Sequence, residues 1–273
     1  MTPTIGVFDS GFGGLTVLRA LIERLPHARF AFLGDTARLP YGSKSRRTIA
    51  HYAVEGAQFL VREQGAESLV IACNTASALA LDAIQDAVPV PVLGVIEPGG
   101  AAAKSASQTG DVLVIATDAT VQSHAYAAAC RAQGLRALEK ACPLLVPLVE
   151  EGWTEHPVTA EVIRIYLDEL LGSAAAEGHR PDTLVLGCTH YPLLRPLIER
   201  AVPAGMRVID SAEATAETAF HRFDGADAQP GSDLPAQNTL RFFATDSVEK
   251  FERLGSRFLA RPVRNVELVD LGG

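Results

Sequence analysis

Residues 68–77 read SLVIACNTAS, a short apolar run that ends abruptly in a cysteine followed by polar residues. Residues 183–192 read TLVLGCTHYP and repeat this arrangement, with Cys188 at the position that corresponds to Cys73. An apolar run of this length, closed by small and polar residues, is typical of a buried strand that leads into a turn. The two cysteines lie 188 − 73 = 115 residues apart, a period too long for a solenoid, which indicates two similar lobes.

A second pair of segments supports the same interpretation. Residues 4–11 (TIGVFDSG) and 111–119 (DVLVIATDA) correspond loosely and start 111 − 4 = 107 residues apart. Strand patterns alternate with helix patterns around them, which predicts an α/β fold with mostly parallel sheets. We therefore expect two doubly wound lobes related by a degenerate internal duplication. The active site is expected in the cleft between them, beyond the carboxyl ends of the strands.

The spacing of apolar residues predicts the individual elements. Residues 97–100 (EPGG) are predicted to break the chain before the pattern restarts, and residues 225–235 (GADAQPGSDLP) to form a turn-rich surface loop. The tail from 238 to 270 predicts strand, helix and strand again. Strands are predicted at residues 4–8, 29–33, 68–72, 90–96, 111–116, 183–186 and 207–210, and helices at residues 14–25, 45–64, 76–87, 121–133, 158–171 and 193–201.

The composition limits the possible functions. Hydrophobic residues make up 48% of the 273 residues and charged residues 21%, so the chain can bury a substantial core. The formal net charge of −8 argues against a general nucleic-acid-binding protein, which would need a basic face, but it does not exclude an anionic substrate. The apolar runs are short and interrupted, so no membrane span is predicted.

The first residues and the cysteine content indicate a compartment. Residues 1–11 (MTPTIGVFDSG) lack the basic region, apolar run and cleavage site of a signal peptide. Four cysteines in a chain of this length, without such a signal, suit free thiols in a reducing compartment rather than a disulfide framework. We therefore expect a cytoplasmic protein.

The cysteines and His190 admit several interpretations. A metal site would need three or four clustered ligands, and neither CxxC nor HExxH occurs, so no metal is expected. A disulfide between Cys73 and Cys188 is disfavoured by the compartment, and a hydrolase with one Cys–His pair would leave the other cysteine unexplained. Packing in the core is the remaining alternative, and we accept it for Cys130 and Cys142.

Packing explains Cys73 and Cys188 less well, because both are followed by polar residues that a core position disfavours. Both are also expected at a helix start, where the helix dipole lowers a thiol pKa. Two thiols on opposite faces of one carbon suit proton transfer without pyridoxal or metal: a thiolate removes the α-proton of an amino acid and a thiol returns one from the far face. Asp9 could set the protonation state of Cys73, and His190 that of Cys188.

Five segments together resemble the glutamate racemases of the cofactor-independent aspartate/glutamate racemase family. The match runs in order along nearly the whole chain, and five segments in order are far more specific than any one of them. The segments are GVFDSGFGGLTV (6–17), GDTARLPYGSKS (34–45), ACNTASA (72–78), VPLVEEG (146–152) and LGCTHYPLL (186–194).

This resemblance implies an isomerase that interconverts L- and D-glutamate without a cofactor and supplies D-glutamate for peptidoglycan in a bacterial cytoplasm. It also implies a homodimer. The first lobe would comprise residues 1–97 and 211–273, and the second lobe residues 98–210. Some family members carry a longer N-terminal extension linked to activation by a cell-wall nucleotide precursor, and such control is not expected here.

The resemblance further assigns roles to individual residues. Cys73 and Cys188 would be the two acid/base residues, with Cys73 deprotonating D-glutamate and Cys188 deprotonating L-glutamate. Asp9, Glu150 and His190 would assist the thiols. The substrate would be held by Asp9, Ser10, Tyr41, Gly42, Asn74, Thr75, Thr117, Thr189 and His190.

Several alternatives stay open from the residues alone. Tyr41 and Gly42 could form a plain turn after a proline, and Glu150 with Glu151 could be a solvated pair. The enzyme could act on aspartate or another acid. A protein of a different class, such as a small-acid sensor or an inhibitor of a partner protein, could also have kept the cleft, although binding alone would need neither cysteine.

Overall fold

The computed structural model describes residues 3–223 and 239–272, so the predicted loop at 225–235 lies outside the described residues. The chain divides into two units. The first unit comprises Met1–Val95 and Ala212–Gly273, and the second unit comprises Ile96–Ser211. Each unit is built around its own parallel sheet, as the alternation of strand and helix patterns predicts.

The described part of the first unit contains a six-stranded sheet in the order β10-β9-β2-β1-β3-β4, with every neighbouring pair parallel. The predicted strand, helix and strand of the tail are confirmed, and they extend this sheet beyond β2. The strands are β1 (Thr4–Asp9), β2 (Arg29–Gly34), β3 (Ser68–Ile71), β4 (Val92–Gly94), β9 (Leu240–Ala244) and β10 (Val266–Leu268). The helices are α1 (Leu15–Arg24), α2 (Arg46–Arg62), α3 (Asn74–Leu79), α4 (Leu81–Ala87), α11 (Ala212–Phe223) and α12 (Val248–Leu259).

The second unit contains a four-stranded parallel sheet in the order β6-β5-β7-β8. Its strands are β5 (Asp111–Ala116), β6 (Arg136–Ala141), β7 (Thr183–Gly187) and β8 (Arg207–Asp210). Its helices are α5 (Ile96–Ala106), α6 (Asp118–Ser123), α7 (Ala125–Ala132), α8 (Leu145–Glu150), α9 (Pro157–Ala176) and α10 (Arg195–Ala201).

The two sheets share one strand order. In the first unit, strands β1 to β4 lie in the order second, first, third, fourth, and strands β5 to β8 repeat this order in the second unit. Cys73 and Cys188 each follow the third strand of the repeat. The predicted pair of similar α/β lobes is therefore confirmed at the level of topology.

The first strand of each repeat lies inside its sheet. Every residue of β1 and of β5 is buried, which explains why both read as continuous apolar runs rather than as alternating patterns. Such strands have helices on both faces, and their carboxyl ends therefore open onto the loops that carry polar residues.

The predicted break at residues 97–100 is wrong, because these residues lie in α5. Pro98 falls in the first turn of this helix, where a missing N–H costs no internal hydrogen bond. A Cβ atom on Gly99 would lie 2.9 Å from the Tyr126 ring, and one on Gly100 would lie 3.0 Å from Cβ of Ala129. The two glycines thus permit α5 to pack closely against α7, a requirement that only the tertiary structure imposes.

The sequence did not predict strand β6. The sequence of this strand, RALEKA, contains good helix formers, and the strand is an edge strand that is at least partly exposed along its whole length.

Two predicted helices are each interrupted. The helix predicted at 121–133 is broken at His124, which has a φ of 54° between α6 and α7. The helix predicted at 76–87 is broken at Ala80, between α3 and α4.

None of the helices within the described ranges 3–223 and 239–272 is both long enough and apolar enough to cross a membrane.

Candidate active site

Polar residues follow the strand ends of both sheets and form one cluster in each unit. The Cys73 cluster, in the first unit, consists of Asp9, Ser10, Tyr41, Gly42, Cys73, Asn74 and Thr75. The Cys188 cluster, in the second unit, consists of Thr117, Glu150, Cys188, Thr189 and His190. Together they contain every residue predicted for the site.

The thiol of Cys73 lies beside the end of β1. Its Sγ donates to the hydroxyl of Ser10 at 3.4 Å and accepts from the backbone N–H of Ala76 at 3.4 Å. Asp9 is almost fully buried, and its Oδ2 accepts from the N–H of Gly11 at 2.9 Å. Because β1 and β3 are neighbours in the sheet, a carboxylate and a thiol from distant parts of the chain share one strand edge.

Burial, together with the charge of Asp9, raises the pKa of Cys73 to about 12, although the hydrogen bonds with Ser10 and Ala76 act to lower it. The predicted lowering by the helix start is therefore wrong for this residue. A helix start stabilises an anion by about 0.3–1 kcal/mol, whereas full burial can shift a pKa by roughly three to five units. Helix α3 has 6 residues, and Cys73, at its N-cap, is only 5% exposed. Cys73 is consequently a thiol at neutral pH.

Asn74 and Thr75 form the first turn of α3, directly after the thiol. Both side chains are buried although both are polar, which a purely structural position would disfavour. Ser10 is half-buried and completes the polar edge around Cys73.

Tyr41 and Gly42 lie in a 3-10 turn, Tyr41–Ser43, which packs against α3. The phenol of Tyr41 is fully buried and donates to Oδ2 of Asp35 at 2.5 Å. Burial raises the pKa of Tyr41 well above its usual value, and the nearby Asp35 adds to the effect. The phenol proton is thus already committed to Asp35, and the alternative of a plain surface turn is excluded by the burial of Tyr41.

Asp35 itself was not predicted as a functional residue. It follows β2 directly, and Asp9 is the last residue of β1, so its place at a strand end was the available signal. It is fully buried, and both of its oxygens lie 2.9 Å from Nε of Arg38. Its part in the cluster is to hold the turn that carries Tyr41.

The Cys188 cluster is a chain of three side chains. Sγ of Cys188 lies 4.0 Å from Nδ1 of His190, and Nε2 of His190 lies 3.4 Å from Oε1 of Glu150. Cys188 and His190 come from the end of β7, whereas Glu150 comes from the end of α8. Glu151, the next residue, is exposed, so the two glutamates are not an ordinary solvated pair.

His190 is nearly buried and carries a charge. Burial by itself would lower the pKa of His190, but the hydrogen bonds with Cys188 and Glu150 raise it to about 10. The imidazole is therefore a cation at neutral pH, held between the sulfur and the carboxylate. A cation at this position can supply a proton to sulfur or stabilise negative charge on it.

Two threonines complete the Cys188 cluster. Thr117 is the N-cap of α6, and its hydroxyl accepts from the N–H of Thr120 at 3.4 Å. Thr189 is buried between the cysteine and the histidine. The hydroxyl of Tyr191 bonds to the carbonyls of Ala116 at 3.1 Å and Cys142 at 2.9 Å, and so ties the loop after Cys188 to the ends of β5 and β6.

Cys188 does not begin an α-helix, contrary to the prediction. Residues 188–190 form a turn, Tyr191–Leu194 form a 3-10 helix, and α10 starts only at Arg195. Pro192 lies at the start of the 3-10 helix, where its missing N–H costs little. The electrostatic partner of Cys188 is therefore His190 rather than a helix dipole.

Cys130 and Cys142 are fully buried, in agreement with a packing role, and all four cysteines are free. Among the residues that the structure describes, no group of three or more His, Cys, Asp and Glu side chains is arranged to hold a metal ion.

The chain is similar in sequence to known racemases. Residues 5–219 match the family model described as Asp/Glu/Hydantoin racemase. A glutamate racemase of Koribacter versatilis is 53% identical, with 99% of this chain and 98% of that protein aligned.

Two solved structures have a similar fold over the whole chain. The glutamate racemase of Francisella tularensis in complex with D-glutamate has a TM-score of 0.85 and 33% identity, covering 99% of this chain and 98% of that one. The glutamate racemase of Thermus thermophilus in complex with beta-chloro-D-alanine has a TM-score of 0.81 and 40% identity, covering 99% and 98%.

Proposed function

The chain belongs to the Asp/Glu/Hydantoin racemase family, and from that premise we propose that it is a glutamate racemase. It interconverts L- and D-glutamate by moving the α-proton between the thiols of Cys73 and Cys188, and it uses no cofactor. Two glutamate racemases are 53% and 45% identical to this chain over almost their whole length, which favours glutamate over aspartate as the substrate.

One observation carries the two-thiol mechanism. Each sheet places a nearly buried cysteine after the third strand of its repeat, and each cysteine has an ionisable partner at the same strand edge. Asp9 raises the pKa of Cys73, and His190 lies 4.0 Å from Cys188. A binding module would need neither thiol, and it would need no charged partner for either.

In the direction from L- to D-glutamate, the Cys188 thiolate takes the α-proton and becomes a thiol. The electron pair left on the α-carbon is delocalised into the adjacent carboxylate. Cys73, which is a thiol at neutral pH, then gives its proton to the opposite face and becomes a thiolate. The mechanism requires each sulfur to reach one face of the same carbon, and the reverse reaction runs through the same steps.

The charges of the ionisable partners favour the starting state, which returns when Cys188 gives its proton to water and Cys73 takes one from water. His190 is a cation that is paired with Glu150, so it favours the thiolate that removes a proton. Asp9 disfavours charge on Cys73 and so favours the thiol that donates one. Glu150, in turn, keeps His190 protonated and oriented. Asp9, Glu150 and His190 are therefore assigned as assistants to the two thiols.

The remaining residues of the clusters are assigned to glutamate binding. Backbone N–H groups at a strand end, together with buried hydroxyl and amide groups, can receive carboxylates without a metal. Asp9 can also accept from the ammonium group. The binding residues are Asp9, Ser10, Tyr41, Gly42, Asn74, Thr75, Thr117, Thr189 and His190.

The product fixes the biological setting of the proposal. D-glutamate would supply peptidoglycan synthesis, which supports bacterial cell-wall biogenesis and cell shape. The four free cysteines suit the reducing cytoplasm in which that supply is needed. The homodimer rests on the family resemblance alone and stays a prediction.

The test is proton exchange at the α-carbon. Protein stripped of metal and free of pyridoxal is incubated in D2O with pure L- or D-glutamate. We expect the α-proton signal to disappear in NMR while optical rotation decays to zero from both sides, because either enantiomer must pass through the same carbanion.

L- and D-aspartate serve as the matched substrates, one methylene shorter. If aspartate exchanges and glutamate does not, the enzyme is a racemase with the other specificity. If neither amino acid exchanges and optical rotation is unchanged, the racemase proposal is wrong.

A further inference from the structure

A hydroxyl group from the last part of the chain secures the turn that carries Tyr41 and Gly42. Thr245 follows β9, which lies next to β2 in the sheet. Its Oγ1 donates to Oδ1 of Asp35 at 2.9 Å and accepts from the backbone N–H of Ala37 at 2.9 Å. One side chain, 210 residues away in sequence, thus bonds both to the side chain of Asp35 and to the backbone of Thr36–Arg38, the 3-10 turn that precedes the one containing Tyr41.

The carboxylate that receives this hydroxyl is fully buried and needs all of its donors. Asp35 accepts from Arg38, from the phenol of Tyr41 and from Thr245. A buried carboxylate is tolerated only when its lone pairs are satisfied, so the loss of one donor forces the others to rearrange. Arg38 and Tyr41 both lie in short 3-10 turns, Thr36–Arg38 and Tyr41–Ser43, so the rearrangement falls on the segment that leads to Tyr41 and Gly42.

A second pair of bonds fastens the same two segments. The hydroxyl of Thr36 donates to the carbonyl of Asp246 at 2.5 Å, and the N–H of Asp246 donates back to that hydroxyl at 2.9 Å. Thr36 is buried, so this exchange is largely shielded from water. The region between β2 and Tyr41 is therefore held from one side by residues that follow β9.

We propose that Thr245 is a positioning residue for glutamate binding: through Asp35 and Ala37 it fixes the turn that presents Tyr41 and Gly42 to the substrate. This inference rests on the proposed function, because it takes Tyr41 and Gly42 as binding residues. The inference gives residues 239–272 a role in the site. These residues are distant in sequence from Tyr41 and contain no cysteine or histidine, so the sequence alone does not indicate this role.

The role has a kinetic signature that a general loss of stability lacks. Tyr41 and Gly42 hold the substrate in the ground state and in the transition state alike, whereas the thiols carry the chemistry. Loosening the turn should therefore raise KM and leave kcat nearly unchanged. A hydrogen bond contributes a few-fold to an equilibrium, so we expect KM to rise roughly fivefold for both enantiomers.

The experiment compares two substitutions at one position. Thr245→Val keeps the shape of the side chain and removes the hydroxyl, whereas Thr245→Ser keeps the hydroxyl. Thr218→Val is the matched control, because Thr218 is also half-buried in the first unit but bonds only within α11, to the carbonyl of Ala214. We expect the KM increase in Thr245→Val alone, with recovery in Thr245→Ser.

Hydrogen exchange of the folded full-length protein gives a readout that is independent of activity. The amides of residues 36–43 should exchange faster in Thr245→Val than in the wild type, Thr245→Ser or Thr218→Val. Unchanged KM together with unchanged exchange in Thr245→Val would overturn the inference. Faster exchange without any change in KM would show that Thr245 secures the turn but has no role in glutamate binding, which would also overturn the inference. An inactive wild type would instead refute the proposed function.

Discussion

The Cys73 cluster and the Cys188 cluster begin from the same sequence pattern and reach opposite electrostatic environments. Cys73 has a buried carboxylate beside it, and its pKa is raised to about 12. Cys188 has a buried imidazolium beside it, and the pKa of that His190 is raised to about 10. An anion next to one thiol and a cation next to the other separate a proton donor from a proton acceptor.

The difference comes from the ionisable residues beside each thiol rather than from the cysteines themselves. Asp9, at the end of β1, accepts from the N–H of Gly11 and places a negative charge beside Cys73. Glu150 lies 3.4 Å from His190 and keeps it charged despite burial. In the proposed mechanism, a duplicated unit carries out two different proton transfers because the residues around the two thiols differ. Four substitutions, grouped in three tests, probe this comparison.

Removing either thiol should have the largest effect. Cys73→Ala and Cys188→Ala should each lower racemisation by about 10³-fold, because each deletes one of the two proton carriers. Cys130→Ala is the control, since Cys130 is equally buried but lies in α7, outside both clusters. Exchange of the α-proton with D2O and polarimetry measure the result. If either variant keeps near-normal turnover while Cys130→Ala does too, the two clusters do not act as a pair.

Removing the positive charge of His190 should have an intermediate effect on racemisation. His190→Asn keeps a side-chain donor but cannot hold a positive charge, so we expect kcat/KM to fall about 10²-fold. His124→Asn is the matched control, because His124 is an exposed histidine of the same unit, paired with Glu139. Since the two enantiomers are equally stable, kcat/KM must fall equally in both directions. Equal activity in the two variants would show that the charge beside Cys188 is dispensable.

Removing the negative charge of Asp9 should have the smallest effect. It should appear in the pH dependence of the reactivity of the Cys73 thiol. The charge of Asp9 raises the pKa of Cys73, so Asp9→Asn should lower that pKa and make the thiolate available at lower pH. Site-resolved alkylation by iodoacetamide, followed by mass spectrometry between about pH 7 and pH 10, measures the change. We expect Cys73 to react about fivefold faster near the middle of that range.

Asp86→Asn, on the exposed side of α4, is the control for this measurement and should leave the profile unchanged. A profile that moves to higher pH in Asp9→Asn would contradict the assigned electrostatic role, because the sign of the charge effect would then be reversed.

Much of the fold could be predicted from the sequence because the central strands are uniformly buried. The continuous apolar runs of β1, β5 and β7 reflect burial on both faces, and their polar ends mark the edge where ligands bind. Strand β6 could not be predicted in this way, since a half-exposed edge strand needs no apolar run. Gly99 and Gly100 were wrongly interpreted as part of a break in the chain, because they permit α5 to pack closely against α7 and do not form a turn.

The composition of the two clusters was likewise visible in the sequence, but their geometry was not. Cys73 and Cys188 were found from a repeated motif, and Asp9 and His190 from polar residues at strand ends. Thr245 was missed because a hydrogen bond across 210 residues leaves no local pattern, whereas Asp35 was missed although it directly follows β2. The lowered pKa expected for Cys73 was wrong, since the sequence reports a helix start but not the depth of burial.

The sequence by itself therefore determined the parallel α/β repeat, the two thiols and the polar residues that accompany them. The repeat, the two thiols, Asp9 and His190 follow from local periodicity and from the polar residues at strand ends, whereas Tyr41, Gly42 and Glu150 follow from the family resemblance. Only the tertiary structure decided how deeply each thiol is buried, that Glu150 keeps His190 charged, and what secures the turn at Tyr41. Charge and hydrogen bonding depend on burial and on partners distant in sequence, and both are set only when the strands come together in their sheets.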